Sequence, residues 1–134
     1  MSAKRDVFDG KGQRLWKKAQ TLIPGGNQLL SKRAEMFLPE HWPSYYSKAK
    51  GAYVWDLDGR KYIDFSIVAV GACALGYADA DVDRAVIRAV KRGSISSLNV
   101  PEEVELAELL IKIHPWADMV RYARTGGESM AIAA

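Results

Sequence analysis

The stretch Gly51–Phe65, GAYVWDLDGRKYIDF, has the alternating pattern of two short β-strands joined by a tight turn. Aromatic or apolar residues alternate with polar ones on both sides of Asp58-Gly59, a dipeptide that favours hairpin turns because glycine accepts a positive φ. A further short run, SYYSKA at 44–49, comes just before this stretch and predicts one more strand. The pattern therefore predicts a three-stranded antiparallel meander over residues 44–65.

Helical periodicity lies on both sides of the meander. Residues 12–23, GQRLWKKAQTLI, repeat apolar side chains at helical spacing and end at the Pro-Gly-Gly of 24–26. Residues 79–92 and 101–113 each carry an apolar stripe behind an acidic first turn, which suits the helix dipole. Residues 27–43 contain two prolines and no clear period, so they predict an extended surface segment.

Two shorter stretches complete the prediction. The small apolar run IVAVGACAL at 67–75 predicts a segment buried on all sides. The stretch MVRYARTGGESMAIAA at 119–134 predicts a strand over Met119–Ala123, a glycine turn and the start of a helix. Such a turn exposes unpaired N–H groups and can hold an anion, most often a phosphate. The alternative is a tight structural turn, and a carboxylate at Glu128 opposes an anion unless it points away.

Composition narrows the class of protein. The 134 residues are 49% hydrophobic with a formal charge of only +3, which fits a small folded domain and gives little support for nucleic-acid binding. One cysteine, Cys73, excludes an internal disulfide, and with two histidines it cannot build a typical zinc cluster. No apolar run approaches the ~20 residues of a membrane helix. We therefore expect a soluble, cytoplasmic protein without metal, membrane or nucleic-acid partners.

The order of these motifs resembles the class III pyridoxal-phosphate aminotransferases, and within them the glutamate-1-semialdehyde aminomutase-like branch. The matching stretches are LIPGG at 22–26, the hairpin at 51–65, LGYADADV at 75–82, PEEVELAELL at 101–110 and the glycine turn at 119–134. The resemblance implies an α/β fold, the N-terminal part of a fold-type I PLP-dependent transferase. Residues 1–65 would then give the N-terminal helix and meander of the small domain, and residues 66–134 the beginning of a truncated large domain that binds the cofactor.

The resemblance also assigns candidate site residues. TGGES stands where the family has a Ser-Gly-Thr-Glu-Ala type turn, so Thr125, Gly126 and Gly127 are expected to bind the phosphate of pyridoxal 5'-phosphate. In the family, the Schiff-base lysine, the aspartate facing the pyridine nitrogen and the stacking aromatic residue all come later. None of the ten lysines here has a matching context, so no catalytic residue is assigned and the chain is expected to be inactive alone.

Substrate residues and reaction are less sharply indicated. Where the aminomutase has a Ser-Pro-Val-Arg type segment, this chain has NQLLSKR, which suggests Lys32 or Arg33 as a substrate contact or, alternatively, as a plain surface charge. Tyr77 replaces the usual histidine, and the expected tryptophan after Phe65 is missing. These departures favour an aminotransferase acting on an amino donor and a carbonyl acceptor, with the aminomutase as alternative. A homodimer is implied by the family, and a stand-alone interaction module is the alternative of another class.

Overall fold

The computed structural model describes residues 9–66 and 71–134. The elements in these ranges are α1 Lys11–Leu22, β1 Tyr46–Lys50, β2 Tyr53–Asp56, β3 Lys61–Ile63, α2 Ala80–Arg92, α3 Glu102–Ile113 and α4 Gly126–Ala133. The chain divides into two compact units, Met1–Ala89 and Val90–Ala134, which are taken separately below. The sequence boundary between residues 65 and 66 concerns the domains of a longer protein and stays a prediction.

The three strands form the predicted antiparallel meander, in the order β1-β2-β3. Tyr53 at the centre pairs with Lys50 on one side and Ile63 on the other. The register of β1 shifts at Ser47, whose hydroxyl donates a hydrogen bond to the carbonyl of Asp56 at 2.8 Å. The meander predicted from the alternating pattern is therefore confirmed.

Asp56 organises the turn between β2 and β3. Its buried carboxylate accepts hydrogen bonds from the backbone N–H groups of Asp58 (2.9 Å) and Arg60 (2.8 Å) and from the Tyr62 hydroxyl (3.0 Å). Burial raises the pKa of Asp56, but the hydrogen bonds and the Arg60 guanidinium lower this pKa by more, so the net shift is downward. Gly59, with a φ of 80°, closes the turn as the Asp-Gly signal predicts.

Helix α1 packs through one face only. Trp16 and Ala19 are buried as the helical spacing predicts, and Gln13 is buried beside them, donating a hydrogen bond to the carbonyl of His41 at 2.9 Å. A Cβ on Gly26 would lie 2.6 Å from the Trp16 ring, so the glycine lets the indole approach the backbone. Leu22 belongs to the same helical repeat but is 69% exposed, because no described segment covers that side of the helix.

The segment at 27–43 lies mostly at the surface, as predicted, but the prediction that it is extended is wrong in part. It includes two 3-10 turns, Leu30–Lys32 and Ala34–Met36, and the rings of Phe37 and Trp42 stack with centroids 4.4 Å apart. The segment therefore has local order that its irregular sequence pattern does not show.

The predicted buried run at 67–75 is only partly open to comparison, because residues 67–70 lie outside the described ranges. Over residues 71–75 the prediction is wrong: Leu75 is 76% exposed and only Cys73 is partly covered. The chain then returns to the sheet, where Tyr77 exchanges two backbone hydrogen bonds with Gly51 at 2.8 and 2.9 Å. A short apolar run indicates a segment that becomes buried against another part of a fold. The described residues of this unit do not cover residues 71–75 in that way.

Helices α2 and α3 confirm the two predicted amphipathic helices, and both leave their apolar stripes exposed, as at Val86 and Val104. The strand predicted at Met119–Ala123 is absent. The physical reason is that a strand requires a hydrogen-bonding neighbour, and no described segment of the second unit pairs with it. Among the residues that the structure describes, no helix combines the length and the apolar character needed to cross a membrane.

Candidate functional site

The glycine turn at the start of α4 is the candidate site, and Thr125 defines its geometry. Thr125 is the N-cap residue, with extended backbone angles (φ −131°, ψ 158°), and its Oγ1 accepts a hydrogen bond from the N–H of Glu128 at 3.2 Å. Threonine favours this position because its side-chain oxygen satisfies one of the N–H groups left free at a helix start. The helix therefore begins at Gly126, directly after the capping residue.

The Glu128 side chain completes a capping box. Its Oε2 accepts hydrogen bonds from the backbone N–H groups of Arg124 at 2.9 Å and Thr125 at 3.2 Å. The carboxylate is thus held by donors that precede the helix, and it takes neither the Gly126 nor the Gly127 N–H. The negative charge of Glu128 nevertheless remains at the turn. The T-x-x-E spacing is the signal by which sequence reasoning could have found the box.

The backbone at Gly126 and Gly127 does not itself require glycine. Neither residue has a positive φ, and a Cβ on either would meet no other part of the described chain within 4 Å. Thr125 satisfies the Glu128 N–H as the structural-turn alternative predicts, but neither glycine is required by the backbone conformation of the turn. What the glycines provide is open space in front of first-turn N–H groups, which have no intrahelical acceptor and carry the positive end of the helix dipole. The phosphate contact expected at Thr125, Gly126 and Gly127 stays a prediction.

The two basic candidates, Lys32 and Arg33, belong to the first unit and differ in their surroundings. Lys32 lines a cavity of about 540 Å³ between the 27–43 segment and the meander. Arg33 is not part of that lining: its guanidinium lies against the backbone of Gly25, and its Nε is buried without a hydrogen-bond partner in the described residues. The structure therefore separates two neighbours that the sequence could not distinguish: Lys32 lines this cavity and Arg33 does not, and the substrate contact itself stays a prediction.

A second polar cluster in the same unit holds Tyr77, the residue in place of the family's histidine. Its hydroxyl donates a hydrogen bond of 2.5 Å to Asp64, whose other oxygen accepts from the N–H and hydroxyl of Ser66. The bond to Asp64 raises the pKa of Tyr77 to about 12, while the bonds from Ser66 and Tyr77 lower the pKa of Asp64. Tyr77 is therefore a neutral donor fixed to a carboxylate. The sequence singled this residue out without predicting its partner.

Lysines on the meander are engaged as cations. The Lys61 ammonium lies 3.7 Å from the centre of the Tyr53 ring, and the Lys48 ammonium lies 4.9 Å from the centre of the Trp55 ring. Both ammonium groups therefore lie within cation–π distance of an aromatic ring. Within the described ranges, no group of three or more His, Cys, Asp or Glu side chains is placed to hold a metal ion.

Comparison with known proteins places this chain among the class III aminotransferases and related aminomutases. Residues 38–134 match the family model described as aminotransferase class-III. The chain is 36% identical over 115 residues to glutamate-1-semialdehyde 2,1-aminomutase from Methanothrix thermoacetophila, an alignment covering 86% of this chain and 25% of that protein. The chain thus spans about a quarter of the length of this relative.

Solved structures give the same match at the level of the fold. An omega-transaminase from Sphaerobacter thermophilus superposes with a TM-score of 0.79 at 30% identity, covering 93% of this chain and 27% of that one. The PLP internal aldimine form of the Sphingopyxis sp. MTA144 FumI protein superposes with a TM-score of 0.80 at 28% identity, covering 92% and 30%. The α/β transferase fold predicted from sequence is therefore confirmed.

Proposed function

Because the chain belongs to the class III aminotransferase family, we propose that it is the N-terminal portion of a pyridoxal-phosphate-dependent aminotransferase. The complete enzyme would transfer an amino group between an amino donor and an aldehyde or keto acceptor. The observation that carries this proposal is the glycine turn of α4. There the N–H groups of the first helical turn, which have no intrahelical acceptor, directly follow the N-cap residue Thr125. When bound, pyridoxal phosphate supplies the electron sink that amino-group transfer needs.

The residues of the turn would hold the cofactor phosphate. The N–H groups of Gly126 and Gly127 would donate to phosphate oxygens, with the helix dipole favouring the negative charge. The Thr125 oxygen already accepts from Glu128, so its hydroxyl hydrogen remains available as a third donor. Glu128 would fix the turn from the other side, through its bonds to Arg124 and Thr125.

Anchoring a phosphate does not move protons, so the 134-residue chain is proposed to be inactive alone. Amino-group transfer requires a lysine that binds the cofactor and serves as acid and base. None of the ten lysines in this sequence has the context that the family's catalytic lysine has. The catalytic lysine would therefore come from polypeptide beyond these residues.

Lys32 is the better candidate for a substrate contact. Within the described residues its ammonium has no ion pair or hydrogen bond, and it lines the cavity, so it could pair with a substrate carboxylate. Arg33 lies against Gly25 instead. We assign the substrate role to Lys32 and a structural role to Arg33, with a homodimeric, cytoplasmic enzyme as the setting that the family suggests.

Two other functions have specific support. The aminomutase is favoured by its 36% identity to this chain, and it is opposed by Tyr77 in place of the family's histidine. A stand-alone interaction module is favoured by the exposed apolar stripes of α2 and α3. The reactions differ in whether the amino group leaves its carbon skeleton, so mass spectrometry of products from a labelled donor separates the two enzymes.

Borohydride reduction tests the main proposal. The complete polypeptide encoded by the gene, incubated with pyridoxal phosphate and borohydride, should carry one pyridoxyl group on a single lysine outside the 134 residues. The 134-residue chain, treated in the same way, should show no stoichiometric labelling by mass spectrometry. Quantitative labelling of one lysine in the short chain, together with turnover of an amino donor, would refute the proposed division of roles.

A further inference from the structure

One face of the meander combines lysines with aromatic side chains. Residues paired across antiparallel strands share a face of the sheet, and alternate residues of one strand share it as well. Two cross-strand rows form this face, which we call the lysine face: Lys48-Trp55-Lys61 and Lys50-Tyr53-Ile63. Trp55 is partly covered and the other five residues are exposed. The face therefore carries three lysines and no carboxylate.

The carboxylates of the meander are engaged elsewhere. Asp56 and Asp58 both lie within ion-pair distance of the Arg60 guanidinium, at 3.4 and 3.7 Å. Asp64 accepts hydrogen bonds from the hydroxyl groups of Ser66 and Tyr77. None of the ion pairs in the described residues includes a lysine of the lysine face. Its three positive charges are therefore not balanced by any carboxylate in the described part of the chain.

Aromatic rings position two of the three ammonium groups. The Lys61 ammonium lies 3.7 Å from the centre of the Tyr53 ring and 5.4 Å from the centre of the Trp55 ring. The Lys48 ammonium lies 4.9 Å from the centre of the Trp55 ring. Attraction to a ring restricts a long, flexible side chain. Less conformational freedom is then lost when an anion binds to these lysines.

The spacing of the lysines suits an extended peptide. Lys48 and Lys50 are two residues apart on one strand, a separation of about 6.7 Å, and alternate residues of an extended peptide are separated by the same distance. Carboxylates at alternate positions can therefore meet successive ammonium groups. A single-stranded nucleic acid would also need open ring faces on which its bases could stack, but the Lys61 ammonium already lies over Tyr53. The observations thus favour a peptide.

We propose that the lysine face binds an extended acidic segment of a partner protein. Alternate carboxylates of that segment meet Lys48 and Lys50, and Lys61 adds its charge from the edge strand β3. This binding needs neither the cofactor nor the glycine turn of α4. It therefore goes beyond amino-group transfer and can be tested separately from it.

The test is an NMR titration of the 134-residue chain, without cofactor, with an eight-residue peptide of alternating glutamate and serine. The peptide should bind saturably and shift the Trp55 indole signal. The same peptide with glutamine in place of glutamate should bind about tenfold more weakly, as expected when three exposed ion pairs are lost. A peptide with all its glutamates adjacent should bind about threefold more weakly, because neighbouring residues of an extended chain point to opposite sides.

Variants assign the contact to the lysine face. The triple variant Lys48→Gln, Lys50→Gln, Lys61→Gln should bind the glutamate–serine peptide about tenfold more weakly than the unsubstituted chain. Arginine at the same three positions keeps the charge and should retain most of the affinity.

A matched control separates this face from net charge. Lys17→Gln, Lys18→Gln, Lys91→Gln changes the net charge equally at three exposed helical lysines outside the face, and it should leave the affinity unchanged. Equal binding of the glutamate and glutamine peptides, or an equal loss in this control, would overturn the inference. Tighter binding of an oligothymidylate would assign the face to nucleic acid instead. Self-association that disappears in the triple variant of the face would assign it to a second copy, which would equally overturn the inference.

Discussion

Replacing Glu128 with alanine should weaken phosphate binding at the glycine turn. The substitution removes the acceptor of two hydrogen bonds, from Arg124 N–H at 2.9 Å and Thr125 N–H at 3.2 Å. Because Glu128 is exposed, water can hydrogen-bond to the two N–H groups in the variant. The helix start should therefore lose about 1 kcal/mol of stability, as for a lost helix cap. If the cap holds the Gly126 and Gly127 N–H groups in place, that free energy converts to about fivefold weaker binding.

Glu128→Gln separates capping from charge. The amide oxygen can still accept from both N–H groups, while the negative charge near the bound phosphate disappears. Binding should therefore equal or exceed that of the unsubstituted chain. Glu105→Ala is the matched control, since it removes an exposed first-turn carboxylate from α3, where no side-chain hydrogen bond involves it in the described residues.

NMR of the isotope-labelled chain is the assay, because it detects weak binding at individual amides. Pyridoxine 5'-phosphate is the probe, since it lacks the aldehyde that reacts with lysines, and pyridoxine without the phosphate is its control. Shifts of the Gly126 and Gly127 amides should depend on the phosphate. Equal affinity in Glu128→Ala, or an equal loss in Glu128→Gln, would show that the capping box does not organise the site.

Three further predictions concern the first unit. Asp56→Asn should lower the free energy of unfolding, measured by urea titration, by about 2 kcal/mol, because a buried acceptor of several hydrogen bonds is altered. The control Asp81→Asn, on exposed α2, should lower it by at most about 0.5 kcal/mol. The lowered pKa of Asp56 means that its contribution is present above about pH 4, the unfolded value, and is lost as pH falls further, so acid titration of the Asn variant should be flatter there. Phenolate absorbance should show one tyrosine titrating near pH 12, and this step should vanish in Tyr77→Phe; its persistence would place the raised pKa on another residue.

The parts of the fold that sequence predicts are those decided locally. Alternation and Asp58-Gly59 predict the meander, and apolar stripes with acidic first turns predict α2 and α3, because each pattern acts within a few residues. The strand at Met119–Ala123 fails for the opposite reason: a strand depends on a neighbour, which the sequence of one segment does not contain.

Some features of the candidate site can likewise be predicted from a local motif, and others depend on the folded chain. Thr125, Gly126 and Gly127 can be located from a short motif, and the T-x-x-E signal of the capping box is equally local. The difference between Lys32 and Arg33 depends on what the folded chain brings against each of them. The acceptor role of Asp56 exists only once the hairpin closes around it. For Lys32 and Arg33, which are adjacent and both basic, the sequence contains no signal that tells one role from the other.

Trp16 and Gly26 should vary together when this chain is compared with homologues or diversified in the laboratory. A methyl group at position 26 collides with the indole, so only a smaller residue at position 16 makes room for it. The φ of 79° then still penalises any L-residue, by about 1–2 kcal/mol. Gly25 also has a positive φ, of 74°, but a side chain there would meet only the far end of the Arg33 side chain and no ring, so replacements should accumulate there first. A library that randomises both glycines should thus retain asparagine at 25 and almost nothing but glycine at 26.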